Sequence, residues 1–331
     1  MSESILTVDN LSTQFKRADD MVYAVNGVSF SVRKGETLGI VGESGSGKSV
    51  SILSILRLLK GDFVVQGRTE FLGSDLLKLT RRQMDDIRGR DIGVVFQDPM
   101  TSLTPTMRVG QQIIEGMVAH KRANKREAMR HAIRLLDEVG IPDPEIRIRN
   151  YPFEFSGGMR QRVMIALAIA CEPQLLIADE PTTALDVTVQ MQILSLLQNL
   201  RQKRNMSIIM ITHDFGVATN FCDRIMVMYS GKVMESAPLE EFLQRPAHPY
   251  TLGLKSSIIE VSDDRKQLHP IPGAATPLTA PPSHCPFAER CFMAEERCHK
   301  ELPRLRQIDM EHGPDHWVAC HLAEEVMNNV R

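Results

Sequence analysis

Nothing in the 331-residue sequence approaches the roughly 18–20 consecutive apolar residues that a membrane-spanning helix needs. The opening Met1-Ser2-Glu3-Ser4 lacks the basic and apolar pattern of a signal peptide, so a cytoplasmic protein that reaches a membrane only through partners is expected. Excess charge is missing too: 39 Lys and Arg against 41 Asp and Glu give a net charge of −2, which implies no nucleic-acid footprint. The local basic groups, Arg81-Arg82 and Lys121-Arg122 through Lys125-Arg126, read as solvated helix faces. There is no internal repeat and no coiled-coil seam. The length suits one large domain with an extension.

What is present is most informative at Gly42-Glu43-Ser44-Gly45-Ser46-Gly47-Lys48-Ser49, which fits a phosphate-binding loop. Leu38-Gly39-Ile40-Val41 before it reads as a buried strand, and Val50–Leu56 after it as a helix with an apolar face. A strand, a glycine loop and a helix N-terminus leave backbone N–H groups at the positive end of the helix dipole, a cradle for polyphosphate. Lys48 is placed to reach the terminal phosphates and Ser49 to ligate magnesium. An accidental glycine turn would not carry both flanks.

Downstream, Leu175-Leu176-Ile177-Ala178 ends in Asp179 and Glu180. The apolar run predicts a strand in a parallel sheet, with the acids at its C-terminal edge, where α/β sheets place ligands. Asp179 suits a magnesium shell, and Glu180 suits a general base that polarises water. Between these segments, Ser156 is a candidate N-cap, followed by Gly157 and Gly158, at the start of the apolar helix Val163–Ala170. This predicts a second anion site at a second helix N-terminus.

Here the sequence resembles the ATP-binding-cassette family. Ser156-Gly157-Gly158-Met159-Arg160-Gln161 is similar to its signature motif, with Phe155 in place of the usual leucine. Gln97 matches the Q-loop, Ala184-Leu185-Asp186 the D-loop, and His213 the switch histidine. Phe96–Leu103, Ala178–Gln190 and His248-Pro249-Tyr250-Thr251 resemble the ATPases of bacterial dipeptide and oligopeptide importers. The resemblance implies an α/β fold: an ABC-type P-loop ATPase with a RecA-like parallel-sheet core, an N-terminal antiparallel β subdomain and a helical subdomain. It implies ATP and Mg²⁺, with Ser49, Gln97 and Asp179 as magnesium ligands. Glu180, His213 and Gln97 would be catalytic, and Gln161 and Asp186 would belong to the nucleotide site. Tyr23 or Phe15 would stack on adenine.

The implied assembly is a head-to-tail pair with a second ABC ATPase. It sits on two permease subunits at the cytoplasmic face of the inner membrane, as a peripheral protein served by a solute-binding protein. Nickel, opines or oligosaccharides are alternative solutes. An exporter motor, or a soluble cassette acting on DNA or ribosomes, ranks lower, because one uninterrupted cassette carries neither fused membrane helices nor a basic stripe.

The ATPase domain is expected over 4–260, with its helical part at about 98–155, broken by Pro142, Pro144 and Pro152. Residues 261–331 would form the extension, entered through an extended connector from Pro270 to Pro282. Cys171 and Cys222 lie in apolar settings and read as core. Cys285, Cys291, Cys298 and Cys320 crowd the tail without C-x₂-C spacing. A cytoplasmic setting argues against disulfides, and four thiolates suit a [4Fe–4S] cluster, which the resemblance also implies. Zinc with help from His284, His299 or His321, or unligated thiols, are the alternatives. Every nucleotide motif ends by His213, so the tail is expected to act in structure or regulation.

Overall fold

The computed structural model describes residues 3–16, 20–183, 185–256, 271–273, 278–308 and 315–329. The connector's Pro270 and residues 274–277, the 260/261 boundary, Ala184, and residues 17–19 between Phe15 and Tyr23 lie outside the described residues. In chain order the strands are β1 (Ser4–Lys16), β2 (Met21–Arg33), β3 (Thr37–Val41), β4 (Phe63–Phe71), β5 (Ser74–Asp75) and β6 (Ile92–Val95). Then come β7 (Leu175–Asp179), β8 (Ser207–Thr212), β9 (Arg224–Tyr229), β10 (Lys232–Pro238), β11 (Arg306–Gln307) and β12 (Trp317–Val318). Two compact units divide the chain: Met1–Glu3, Arg33–Glu36 and Lys78–Met210 form one, and Ser4–Val32, Thr37–Leu77 and Ile211–Arg331 the other.

The second of these begins with an antiparallel sheet, the N-terminal β subdomain that the resemblance implies. β1 pairs with β4 from Leu6–Phe71 to Phe15–Phe63, with a bulge between Asp9 and Ser12. Asn10 takes a left-handed φ of 49° at the bulge, and a bulge of this kind adds local twist. Its parallel element is β3 beside β9, in register from Leu38–Arg224 to Val41–Val227. Every residue of β3 is buried, so the strand is continuously apolar rather than alternating. Burial of Leu38, Ile40 and Val41 favours folding by about 1.5–3 kcal/mol each. β10 runs antiparallel to β9, and the tail adds β12 and then β11 to its edge. The buried carboxylate of Glu235 on β10 accepts from the backbone N–H groups of Ala247 and His248 and meets His316 Nε2 at 2.8 Å. That set of bonds ties the tail to the sheet.

The other unit carries the parallel pair β6–β7 and the helices Val109–Ala119, Lys125–Glu138 and Gly157–Ile169. Lys125–Glu138 starts from a capping box of Asn124 and Glu127. Pro144 opens a short helix instead of simply breaking one, since the first helical position needs no N–H. Helical spacing predicts one apolar face of Val189, Ile193, Leu196, Leu197 and Leu200; the helix Val187–Arg204 buries Ile193, Leu197 and Leu200, leaves Val189 and Leu196 half-buried, and buries Leu194 as well. Among the described residues no helix is long and apolar enough to cross a membrane.

Candidate functional site

In the sheet-rich unit, the phosphate loop follows β3 and feeds the helix Lys48–Ile55, as predicted. Two of its glycines are required by geometry. A Cβ on Gly42, at φ 150°, would sit 2.2 Å from the Met228 carbonyl oxygen. One on Gly47, at φ 94°, would sit 2.5 Å from the Ala24 carbonyl oxygen. The loop is therefore clamped between β9 and β2. Ser46 is fully buried. Lys48 Nζ donates to the carbonyls of Gly42 and Glu43 at 2.7 and 2.8 Å and to Ser46 Oγ at 3.3 Å. This cation is held by the loop's own oxygens, a position from which a phosphate oxygen can replace them. Ser44 and Gly45 are exposed at the loop's tip, and Ser49 is half-buried.

Of the two aromatic candidates, Phe15 packs edge-on against Phe63 with centroids 6.5 Å apart, a partner supplied by the β1–β4 pairing. Tyr23 is half-buried on β2, next to the Ala24 carbonyl that abuts Gly47. Its backbone N–H donates to Leu278 O. His213 follows β8 and is exposed; Asp214, next to it, caps the helix Phe215–Phe221.

In the other unit, Gln97 and Glu180 meet: Gln97 Nε2 donates to Glu180 Oε2 at 2.8 Å, and Thr183 Oγ1 donates to the same oxygen at 2.9 Å. The residues are 83 apart in sequence, and the parallel β6–β7 pairing brings them together. Glu180 has a left-handed φ of 48°. Such a conformation costs a non-glycine residue about 1–3 kcal/mol, and strain of this size gathers at functional positions. Sequence reasoning placed Glu180 at the strand's edge but had no signal for the strain.

Ser156 is the N-cap of Gly157–Ile169, its Oγ accepting from Met159 N at 3.3 Å. Ser156 and Gly157 are exposed and Gly158 is half-buried, while Phe155 is the buried anchor expected of it. Gln161 is 2% exposed and turned into the core, where its Nε2 has no hydrogen-bond partner among the described residues. Asp186 caps Val187–Arg204 by accepting from Val189 N at 2.9 Å. Asp179, at the end of β7, is half-buried. The amide oxygen of Gln97 and the carboxylate of Asp179 in this unit, and the hydroxyl of Ser49 in the sheet-rich one, are each a hard oxygen donor of the kind Mg²⁺ takes.

The tail corrects an expectation. A [4Fe–4S] cluster or zinc on Cys285, Cys291, Cys298 and Cys320 is overturned: among the described residues no group of three or more His, Cys, Asp or Glu side chains could hold a metal ion. Packing supplies the physical reason. Cys285, Cys298 and Cys320 are buried, and Cys320 sits in an apolar cluster with Ala247, Ile308, Val318 and Leu322. Burial pushes the thiol of Cys285 up to about 11, that of Cys320 up to about 12, and raises that of Cys291. Ligation calls for thiolates, and these positions favour the neutral thiol. The neighbouring histidines are engaged elsewhere: His299 meets Glu289, His321 meets the Glu301 carbonyl, and His284 meets Ser283. Cys171 and Cys222 are buried core residues, as expected.

Sequence reasoning also missed what holds Glu43. The subfamily stretch His248–Thr251 is buried, and the Tyr250 hydroxyl accepts from Glu43 N at 3.1 Å. The Glu43 carboxylate is paired with Arg290 of the tail at 2.8 and 3.0 Å.

A phosphate loop, a strained acid after an apolar strand, and a capped glycine helix start are the parts of an ABC-type ATPase. The chain matches the ABC transporter family over residues 25–183 and the oligopeptide/dipeptide transporter C-terminal region over 234–298. It is 47% identical to the oligopeptide transport ATP-binding protein OppD of Haemophilus influenzae over 93% of this chain and 95% of that one. It is 45% identical to the dipeptide transport ATP-binding protein DppD of Bacillus subtilis over 98% of each. A solved ATP-binding cassette, dimeric in a post-hydrolysis state with ADP and Pi, superposes with a TM-score of 0.64 at 28% identity, covering 71% of this chain and 98% of that chain. The chain belongs to the ATP-binding subunits of ABC transporters, in the oligopeptide/dipeptide branch.

Proposed function

We propose that this chain is the ATP-hydrolysing subunit of a di- or oligopeptide importer, peripheral to the cytoplasmic face of the cell membrane. Its ATPase domain spans 4–260 and its extension 261–331. The observation that carries the peptide reading is the likeness to a dipeptide transport subunit over 98% of both chains. The phosphate loop, Gly42 to Ser49, binds ATP, with Lys48 exchanging loop carbonyls for phosphate oxygens. Tyr23 stacks on adenine, since Phe15 is already paired with Phe63. Ser49, Gln97 and Asp179 hold Mg²⁺, which when bound neutralises phosphate charge. Glu180 accepts the proton of the attacking water, and the Gln97 amide holds that carboxylate in place. His213 orients the γ-phosphate. Ser156, Gly157 and Gly158 complete a site on a second cassette and receive the same from it; Asp186 contributes to that contact by shaping the start of its helix.

Reconstitution tests this. The full chain is assayed alone, with a paralogous second ATPase, and with both ATPases plus two permeases in vesicles supplied with binding protein and dipeptide. Turnover is expected to rise only when the second ATPase and the permeases are present, and to couple to dipeptide entry. Full activity as a dilute monomer would sink the shared-site reading. Coupled entry of nickel, an opine or an oligosaccharide in place of peptide would overturn the solute.

A further inference from the structure

Glu43 is the second residue of the phosphate loop, and three different groups hold it. Its N–H donates to the Tyr250 hydroxyl, its carbonyl accepts from Lys48, and its carboxylate is forked by Arg290. Arg290 lies 247 residues away in the cysteine-bearing tail. Its side chain is 9% exposed and every N–H on it is committed. Besides Glu43, it donates to Tyr229 Oη at 3.2 Å, Pro272 O at 2.6 Å and Gly273 O at 3.0 Å. The guanidinium rests on the rings of Tyr229 and Phe287, 5.6 and 6.0 Å from their centroids. Phe287 is buried and packs in turn on Tyr229 and Tyr250 at 5.3 and 5.0 Å. A rigid aromatic block thus aims one guanidinium at one carboxylate on the rim of the phosphate loop.

Electrostatics give this contact a consequence. A carboxylate on an anion-binding loop opposes a polyphosphate, and a guanidinium that neutralises it removes the opposition. The planar fork also fixes the Glu43 side chain, and with it the loop segment whose carbonyl holds Lys48.

We propose that Arg290 is a positioning residue for the nucleotide: by pairing Glu43 it neutralises and orients the phosphate loop, so that the C-terminal extension sets the affinity for ATP. The proposal rests on the reading of Gly42–Ser49 as the ATP site. It gives the structural or regulatory role expected of the tail a definite contact, Arg290 with Glu43.

The test is equilibrium binding of a fluorescent ATP analogue, mant-ATP, to the full chain, with folding checked by circular dichroism. Arg290→Gln is expected to raise Kd about tenfold, and Arg290→Lys, which keeps the charge but loses the fork, about threefold. Glu43→Gln should act in the opposite direction, tightening binding about two- to threefold because Arg290 is then left as an uncompensated positive charge beside the loop. In the Arg290→Gln background, Glu43→Gln should restore Kd to within about threefold of the parent. The Arg290→Gln defect should also shrink at high salt, which a purely structural defect would not do. In the assembled transporter, KM for ATP should rise while kcat holds.

Parent-like Kd for a folded Arg290→Gln would overturn the proposal. So would Glu43→Gln weakening binding as much as Arg290→Gln, which would make the pair a scaffold only. If Arg290→Gln does not fold, the sign of the Glu43→Gln effect decides alone. Lys48→Ala separates the two levels: loss of its binding with no Arg290 effect defeats only this proposal. Parent-like binding by Lys48→Ala would instead defeat the loop reading and the proposal together.

Discussion

Glu180→Gln removes a base while leaving nearly all of the local geometry. The side chains are isosteric, and both carry an oxygen that can accept from Gln97 or Thr183, which now stand 2.8 and 2.9 Å from Glu180 Oε2. What is lost is charge. Hydrogen bonds to an ionised acceptor exceed neutral ones by about 1 kcal/mol each, and the half-buried setting reduces this, so with two such bonds folding stability should fall by no more than about 2 kcal/mol. The left-handed φ of 48° is borne equally by both residues, so backbone strain cancels in the comparison. Catalysis should respond very differently. Loss of a positioned general base costs ~10²–10⁴-fold, about 2.7–5.5 kcal/mol in activation free energy. Nucleotide affinity, resting on Lys48 and the loop, should stay near the parent's. The assay is phosphate release by the reconstituted transporter, run beside mant-ATP binding and a denaturant melt. Turnover within about threefold of the parent would remove Glu180 from the role of base. Lost turnover accompanied by lost binding or a collapsed midpoint would mean that the carboxylate is structural.

Two further outcomes follow from particular contacts. Gly42→Ala would place a methyl 2.2 Å from the Met228 carbonyl, so a loss of about 2–4 kcal/mol in stability, together with nucleotide binding, is expected from denaturant melts; a parent-like midpoint would show that the loop yields. Burial depresses His248 to about 3, so its contribution to stability is full above the ordinary histidine value and is lost as pH falls from about 6.5 toward 3. Between pH 7 and pH 5 this predicts a drop of about 2 kcal/mol. His248→Asn, which keeps an acceptor for the Tyr250 N–H, should flatten that drop, and an unchanged slope would acquit His248.

The phosphate loop, the acid-tipped strand and the capped glycine helix were legible because each is local. A strand, a turn and a helix start within about a dozen residues, and their requirements are written in adjacent residue types. Burial of Ile193, Leu197 and Leu200 was legible for the same reason, as helical period repeats over short spans, while buried Leu194 lay outside the face that the period picked and Val189 and Leu196 on it are only half-buried. The identities of β11 and β12 were not, since strands of two residues carry no period and exist only because the β10 edge is there to pair with. Gln161 likewise reads as part of an anion-binding motif, and only packing shows it turned into the core.

By itself the sequence determined the chemistry on offer: a glycine loop suited to polyphosphate, hard oxygen donors, a carboxylate at a strand end and four thiols in a tail. Tertiary structure decided which of these groups are charged, strained or engaged. Burial of Cys285 and Cys320 disfavours the thiolate that a count of cysteines invites. The β6–β7 pairing brings Gln97 to a strained Glu180, and an aromatic block carries Arg290 across 247 residues to Glu43. Desolvation and long-range pairing depend on what surrounds a side chain, and those surroundings come from distant parts of the chain that local pattern does not connect.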